Sequence, residues 1–286
     1  MTAEIKEIGV VGAGTMGSGI AQVCAVRGLN VILCDTMEAQ LEKAHRSIER
    51  NLDREVQKER LSPSQKSEIL PRLQLTSEIG SLAQVGFVVE AVPEDFQIKK
   101  KVLGVLDQTC SREAILATNT SSISITKLAG VTGRPDRVVG MHFMNPVPVM
   151  KLVEVIRGYR TSRETLDTTL KLTERLGKTA VEASDSPGFV SNRVLIPMIN
   201  EAVFCVYEGV GSVEAVDTVM KLGMNHPMGP LALADLIGLD VCLDIMETLY
   251  SGFRDSKYRP CPLLEKMVSA GLLGRKSGEG FYRYSQ

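Results

Sequence analysis

The apolar run Ile8-Gly9-Val10-Val11, followed at once by Gly12-Ala13-Gly14-Thr15-Met16-Gly17, leaves this chain few ways to fold. A strand that turns on glycines straight into a helix opens a parallel, helix-covered sheet. At the three glycine positions a side chain would obstruct a tight turn, an approaching pyrophosphate or the packing of helix on strand. The helix start also offers unpaired N–H groups to phosphates. Cofactor contacts are therefore expected from Gly12, Ala13, Gly14, Thr15, Met16 and Gly17. The same spacing, taken alone, also describes a glycine-rich turn that binds nothing.

The next strand narrows the choice. Val31–Leu33 leads to Asp35, at the distance expected of an acid that takes ribose hydroxyls, and no arginine follows to favour a 2′-phosphate. NAD is preferred over NADP on that ground. The lesser alternative is that Asp35 merely caps the helix that follows it.

Further strands are predicted at Phe87–Val92, Ile115–Ala117 and Val138–Met141, alternating with helical segments as in a doubly wound α/β sheet of the Rossmann type. After the second strand, a helical excursion at about 38–70 opens with Glu38 to about Arg60, apolar at Leu41, Ala44, Ile48, Leu52 and Val56. Its charged side sets Arg46, Arg50, Arg54 and Lys58 at four-residue steps. This is either a phosphate-attracting stripe or a solvated face paired with Glu42, Glu49 and Glu55. Ser62-Pro63 begins a turn or a new helix. At 286 residues two domains are expected, and the turn-rich Asp185-Ser186-Pro187-Gly188 marks their boundary. We read 1–184 as the sheet domain and 185–286 as an all-helical one. The latter has helices at Asn192–Tyr207 (kinked by Pro197), Ser212–Leu222 and Leu231–Leu249, then a glycine-rich loop over Gly274–Tyr282.

A net charge of −1 gives no reason to expect nucleic acid. Neither a signal peptide nor a membrane span is expected. The cysteines at 24, 34, 110, 205, 242 and 261 lack CxxC pairing and sit mostly among apolar neighbours, which suits buried thiols in a reducing cytoplasm.

A nicotinamide enzyme that oxidises an alcohol needs a base at the hydroxyl. The chain has three histidines. His45 falls on the long helix and His226 in a Pro/Gly-rich turn, whereas His142 sits at the end of a predicted strand, where ligands of doubly wound sheets collect. It is a candidate base, or else a histidine satisfied by backbone. The scattered histidines make a metal site improbable.

The stretch His142-Phe143-Met144-Asn145-Pro146-Val147-Pro148-Val149-Met150-Lys151-Leu152-Val153-Glu154-Val155 resembles the active-site segment of the L-3-hydroxyacyl-CoA dehydrogenases. Asp185-Ser186-Pro187-Gly188-Phe189-Val190-Ser191-Asn192-Arg193 resembles the family's signature at the start of its helical domain, and Gly274 to Tyr282 its C-terminal loop. The likeness spans essentially the whole chain, and in length it is most similar to the short bacterial 3-hydroxybutyryl-CoA dehydrogenases. It implies NAD-dependent oxidation of an L-3-hydroxyacyl-CoA to the 3-ketoacyl-CoA, with His142 as acid/base and Glu154 as its orienting carboxylate. Ser121 would meet both cofactor and substrate, and Asn192 would bond the reacting end of the acyl chain. On the residues alone, Ser121 with Ser122, and Asn192, could simply cap their helices.

The resemblance further implies cofactor contacts from Glu94, Lys99, Asn145 and Lys276, which in sequence terms are ordinary surface residues. It implies coenzyme A contacts from Asn51 and Lys58, although one member of the family carries serine at the position of Asn51. A homodimer built on the helical domain is expected from its surplus apolar segments and from the resemblance. Two other readings stay open: a dehydrogenase of free β-hydroxy acids, and a crystallin-like protein that binds the cofactor without turnover.

Overall fold

The computed structural model describes residues 5–284. Its strands are β1 (Glu7–Val11), β2 (Asn30–Cys34), β3 (Leu73–Thr76), β4 (Phe87–Glu90), β5 (Ile115–Thr118), β6 (Val138–Phe143), β7 (Leu152–Arg157) and β8 (Thr179–Ser184). They form one eight-stranded sheet in the order β3-β2-β1-β4-β5-β6-β7-β8. The chain moves outward from β1 through β2 to β3, then returns to the other side of β1 as β4. This reversal puts the carboxyl ends of β1 and β4 side by side, the position where open sheets of this kind hold ligands. Neighbouring strands are parallel, except that β6 and β7 run antiparallel.

The five strands read from sequence are the central ones, whose near-continuous apolar runs are buried on both faces. Those not anticipated are β3, β7 and β8. Both β3 and β8 lie at the edges, where β3 buries only Leu73 and β8 exposes most of its residues, so neither carries an unbroken apolar signal. In β7 the run is interrupted by Glu154, which is nonetheless buried.

The long helix spans Glu38–Gln57 and buries Leu41, Ala44, Ile48 and Leu52. It stops short of Arg60 as the backbone turns left-handed at Glu59. At Ser62 a new helix begins rather than a plain turn: Ser62 and Gln65 form a reciprocal capping box, with Pro63 in the first position of Pro63–Ile69.

The chain divides into two compact units, one ending at Asp185 and one starting at Ser186. The second unit is helical. Ser191–Tyr207 carries Pro197 in its interior, and its core is built on Ile199, Val203, Leu231, Cys242, Met246 and Leu249. Two expectations need correction here. The single helix expected over Leu231–Leu249 is broken into Pro230–Ile237 and Leu239–Phe253 by Gly238, whose φ of +106° no side-chain-bearing residue adopts readily. The α-helix expected over Ser212–Leu222 runs only over Val213–Thr218 and then widens into a π-turn over Val219–Gly223. Among the described residues no helix is long and apolar enough to cross a membrane.

Candidate active site

The glycine turn joins β1 to the helix Thr15–Val26. At Gly12 the backbone has φ +100° and a Cβ would stand 2.6 Å from the Ala91 carbonyl oxygen, while at Gly17 it would collide with the Gly12 carbonyl. At Gly14 a Cβ would meet nothing within 4 Å. The fold itself therefore requires two of these glycines, and the third keeps open a space of the kind a pyrophosphate needs. No side chain caps the helix that begins there, so its first-turn N–H groups suit an anion. These residues fit a dinucleotide.

Asp35 follows β2 directly. Its Oδ2 accepts from Ala13 N at 2.8 Å and its Oδ1 from Met37 N at 3.0 Å. The N-cap of the next helix is Met37, which makes no side-chain capping bond. Asp35 is thus tied to the glycine turn and does not cap that helix.

His142 lies within β6 and Glu154 within β7, and the antiparallel register makes them direct partners. Both are buried, and His142 Nδ1 stands 2.9 Å from Glu154 Oε2. Directly opposed residues of such a ladder project to the same face, which is why a spacing of twelve along the chain becomes a side-chain contact. The connection 144–151 is held by Lys178, whose Nζ donates to the carbonyls of Val147 at 2.6 Å and Met150 at 2.7 Å. Burial, with Arg27 adding repulsion, holds the Lys178 ammonium below the usual lysine range.

Ser121 follows β5. Its N–H donates to Glu94 Oε1 at 2.8 Å, and the hydroxyls of Thr120, Ser121 and Ser122 and the N–H of Ser122 converge on the same oxygen at 2.6–3.1 Å. Burial alone would raise the Glu94 carboxyl. The Lys99 ammonium, then the bonds from Thr120, Ser121 and Ser122, outweigh it and leave this carboxyl below the usual range. The following helix, Ile125–Ala129, is capped by Ser124 rather than by Ser121 or Ser122. Asp185 reinforces that cap by accepting from Ser124 Oγ, Ile125 N and Thr126 N.

Lys99 corrects the sequence reading most directly. Expected on the surface, it is 1% exposed, with Nζ 2.8 Å from Glu90 Oε1, 3.1 Å from the Val92 carbonyl and 3.4 Å from Glu94 Oε2. Asn145 is exposed. Asn51 donates its side-chain N–H to Gln22 Oε1 at 3.0 Å, and Lys58 is exposed at the end of its helix. Along the basic stripe Arg46 pairs with Glu42, whereas Glu49 pairs with Lys66 and Glu55 with Arg60. The pairing is therefore only partly that of a self-compensated face.

In the second unit, Asn192 lies in the first turn of Ser191–Tyr207, with Val190 rather than Asn192 at the capping position. Lys276 forms an ion pair with Asp240 at 2.5 Å. Its loop is clasped by Asp235, which accepts from Phe281 N, Tyr282 N and the Tyr284 hydroxyl.

Sequence reasoning missed Glu90, Asn119 and Lys178. Asn119 Oδ1 accepts from Phe143 N at 2.9 Å, while its own N–H donates to the Glu90 carbonyl at 2.8 Å. It thereby ties the Ser121 loop to the strand end that carries His142. Its place at a strand end beside Ser121 was the available signal.

Comparison with known proteins agrees with this geometry. Residues 7–186 match the 3-hydroxyacyl-CoA dehydrogenase, NAD binding domain, and residues 188–284 match the 3-hydroxyacyl-CoA dehydrogenase, C-terminal domain. The chain belongs to the 3-hydroxyacyl-CoA dehydrogenase family. Within that family it is 55% identical to a probable 3-hydroxybutyryl-CoA dehydrogenase of Bacillus subtilis, covering 99% of each chain. It is 39% identical to the mitochondrial hydroxyacyl-coenzyme A dehydrogenase of Sus scrofa, covering 98% of this chain and 91% of that one. Among solved structures, the (S)-3-hydroxybutyryl-CoA dehydrogenase of Ralstonia eutropha superposes with a TM-score of 0.97 at 51% identity, covering 99% of this chain and 100% of that one. The Rossmann-type sheet and the helical C-terminal domain are thus those of an NAD-dependent oxidoreductase family.

Proposed function

We propose that this chain catalyses the reversible NAD-dependent oxidation of short-chain L-3-hydroxyacyl-CoA, 3-hydroxybutyryl-CoA foremost, to the 3-ketoacyl-CoA, with His142 and Glu154 as the acid/base pair. The observation that carries the reading is the 2.9 Å contact between the buried His142 Nδ1 and Glu154 Oε2. A carboxylate accepting from Nδ1–H selects the tautomer whose Nε2 takes a proton, and it stabilises the imidazolium that results. His142 removes the hydroxyl proton in oxidation and returns it in reduction. Ser121 and Asn192 orient the reacting end of the acyl chain. Gly12, Ala13, Gly14, Thr15, Met16, Gly17, Asp35, Glu94, Lys99, Ser121, Asn145 and Lys276 hold the cofactor. The nicotinamide, when bound, supplies the acceptor or donor of the hydride.

Residues 1–184 act as the NAD domain and 185–286 as the substrate and dimerisation domain. Coenzyme A lies against the long helix near Asn51 and Lys58, where Arg50 and Arg54 add positive charge. The partner in a homodimer is a second helical domain, a reading supported by the exposure of Val210 and Leu222 at 74% and 83%. The cytoplasm is the compartment that suits six unpaired thiols, five of them buried.

The test is NADH consumption across a series of 3-ketoacyl-CoA lengths, with NADPH and free 3-ketobutyrate as controls. Highest kcat/KM for acetoacetyl-CoA with NADH is expected. Equal rates with the free acid, or preference for NADPH, would overturn the substrate or the cofactor assignment respectively.

A further inference from the structure

The deepest charge in the sheet domain lies behind the Ser121 loop. Glu90, at the end of β4, is fully buried, and so is Lys99, one turn into the helix Phe96–Thr109. Glu90 Oε1 accepts from Lys99 Nζ at 2.8 Å and from Val92 N at 2.7 Å, while Oε2 accepts from the Thr118 hydroxyl at 2.6 Å. The Lys99 ammonium donates to Glu90 and to the Val92 carbonyl, and it stands within ion-pair distance of Glu94 Oε2 at 3.4 Å. Burying such a pair gains little stability over an apolar pair of the same shape, so its presence calls for another explanation.

That explanation is Glu94, which stands between this pair and Ser121. Glu94 Oε2 faces Lys99, and Oε1 fills the nest of N–H and O–H groups made by Thr120, Ser121 and Ser122. A single ammonium thus serves two carboxylates. Glu90 takes the larger share of it, at 2.8 Å against 3.4 Å, and the balance decides how far Glu94 is drawn out of the nest.

We infer that Glu90 is a positioning residue that acts through Lys99 and Glu94 to set the Ser121 loop. Neutralising Glu90 would release the ammonium toward Glu94, pull that carboxylate from its nest and loosen Ser121. Glu90→Gln is the informative change, because the amide keeps an acceptor for Val92 N and a partner for Thr118.

The inference rests on the dehydrogenase reading, and the experiment separates the two. Steady-state kcat/KM for NADH, with acetoacetyl-CoA as co-substrate, is measured for wild type, Glu90→Gln, Glu94→Gln and the double variant. Thermal midpoints are recorded alongside. Glu90→Gln is expected to lose about tenfold in kcat/KM in the wild-type background and less than about twofold in the Glu94→Gln background, a coupling of the size seen within one hydrogen-bonded network. Thr118→Val, which removes only the Oε2 bond, should give a smaller loss that Glu94→Gln again abolishes, and it serves if Glu90→Gln fails to fold. Equal losses in both backgrounds, or no loss in the wild-type background, would overturn the inference. If wild type binds NADH without turnover, the dehydrogenase reading fails instead, and the same four proteins are compared on their NADH dissociation constants with the same two outcomes.

Discussion

Glu154 stands directly opposite His142 across the antiparallel β6–β7 ladder, its carboxylate 2.9 Å from Nδ1. Two backbones in register therefore hold the His142–Glu154 contact. Removing the imidazole should abolish proton transfer without disturbing the glycine turn. His142→Ala is expected to lower turnover of acetoacetyl-CoA by roughly 10²–10⁴-fold with NADH binding nearly unchanged. Near-wild-type turnover would refute the role of His142.

Glu154→Gln keeps the shape and removes the charge. An amide can present N–H as well as C=O to Nδ1, so the tautomer is no longer selected and the imidazolium loses its counter-charge. A loss in kcat of up to about 10⁴-fold is expected, as for the analogous acid-to-amide change in a Ser-His-Asp triad. KM for both substrates should move far less, and a purely KM effect would speak against the pair.

The glycine turn separates folding from binding at neighbouring positions. Gly17→Ala drives a methyl into the Gly12 carbonyl and should destabilise the protein by about 1–3 kcal/mol in urea unfolding. Gly14→Ala meets no protein atom within 4 Å, so stability should stay within about 0.5 kcal/mol of wild type. Its NADH dissociation constant should nonetheless rise about tenfold or more, since the methyl occupies the space kept for phosphate. Unchanged affinity in Gly14→Ala would mean that the cofactor does not cross this turn.

Asp35 bonds Ala13 N and borders the same turn. Asp35→Ala removes the acceptor proposed for the ribose hydroxyls and should raise KM for NADH about tenfold or more, in keeping with loss of a charged hydrogen bond. NADPH should improve relative to NADH because a repelling carboxylate is gone. A variant that still discriminates as strongly as wild type would assign that role elsewhere.

Glu94 carries a pH signature. Its carboxyl lies below the usual range, so the folded state binds its proton less readily than the unfolded chain does. The associated stability is complete above the ordinary glutamate pKa of about 4.3 and is lost as pH falls through the depressed value. Glu94→Gln should flatten that acid limb in urea-unfolding curves while leaving the slope near neutrality alone. An undiminished acid limb in the variant would show that other groups produce it.

The readable parts of the sequence were those where local chemistry and tertiary need coincide. The central strands, the glycine turn and Asp35 could be read because double burial, close approach and a carboxylate at a strand end each leave a local mark. The edge strands β3 and β8 left none, being half polar. Glu154 was reached only through the family resemblance, because an acid inside the apolar run masks the strand whose ladder sets it opposite His142. Lys99 illustrates the limit: a lysine in a Lys-rich helix reads as surface, and only the fold brings Glu90 and Glu94 to it. Its neighbours Lys100 and Lys101 are not buried as it is, although all three look alike in sequence.

Among the described strands β6 and β7 are the one antiparallel pair, and the connection 144–151 doubles back at the end of the sheet instead of crossing it. Lys178 pins both shoulders of that connection, and Val149 between them is 71% exposed. New residues inserted at its tip would lengthen a surface excursion while the ladder partners keep their spacing. Descendants of this chain could therefore reshape that rim freely while inheriting an unaltered His142–Glu154 contact.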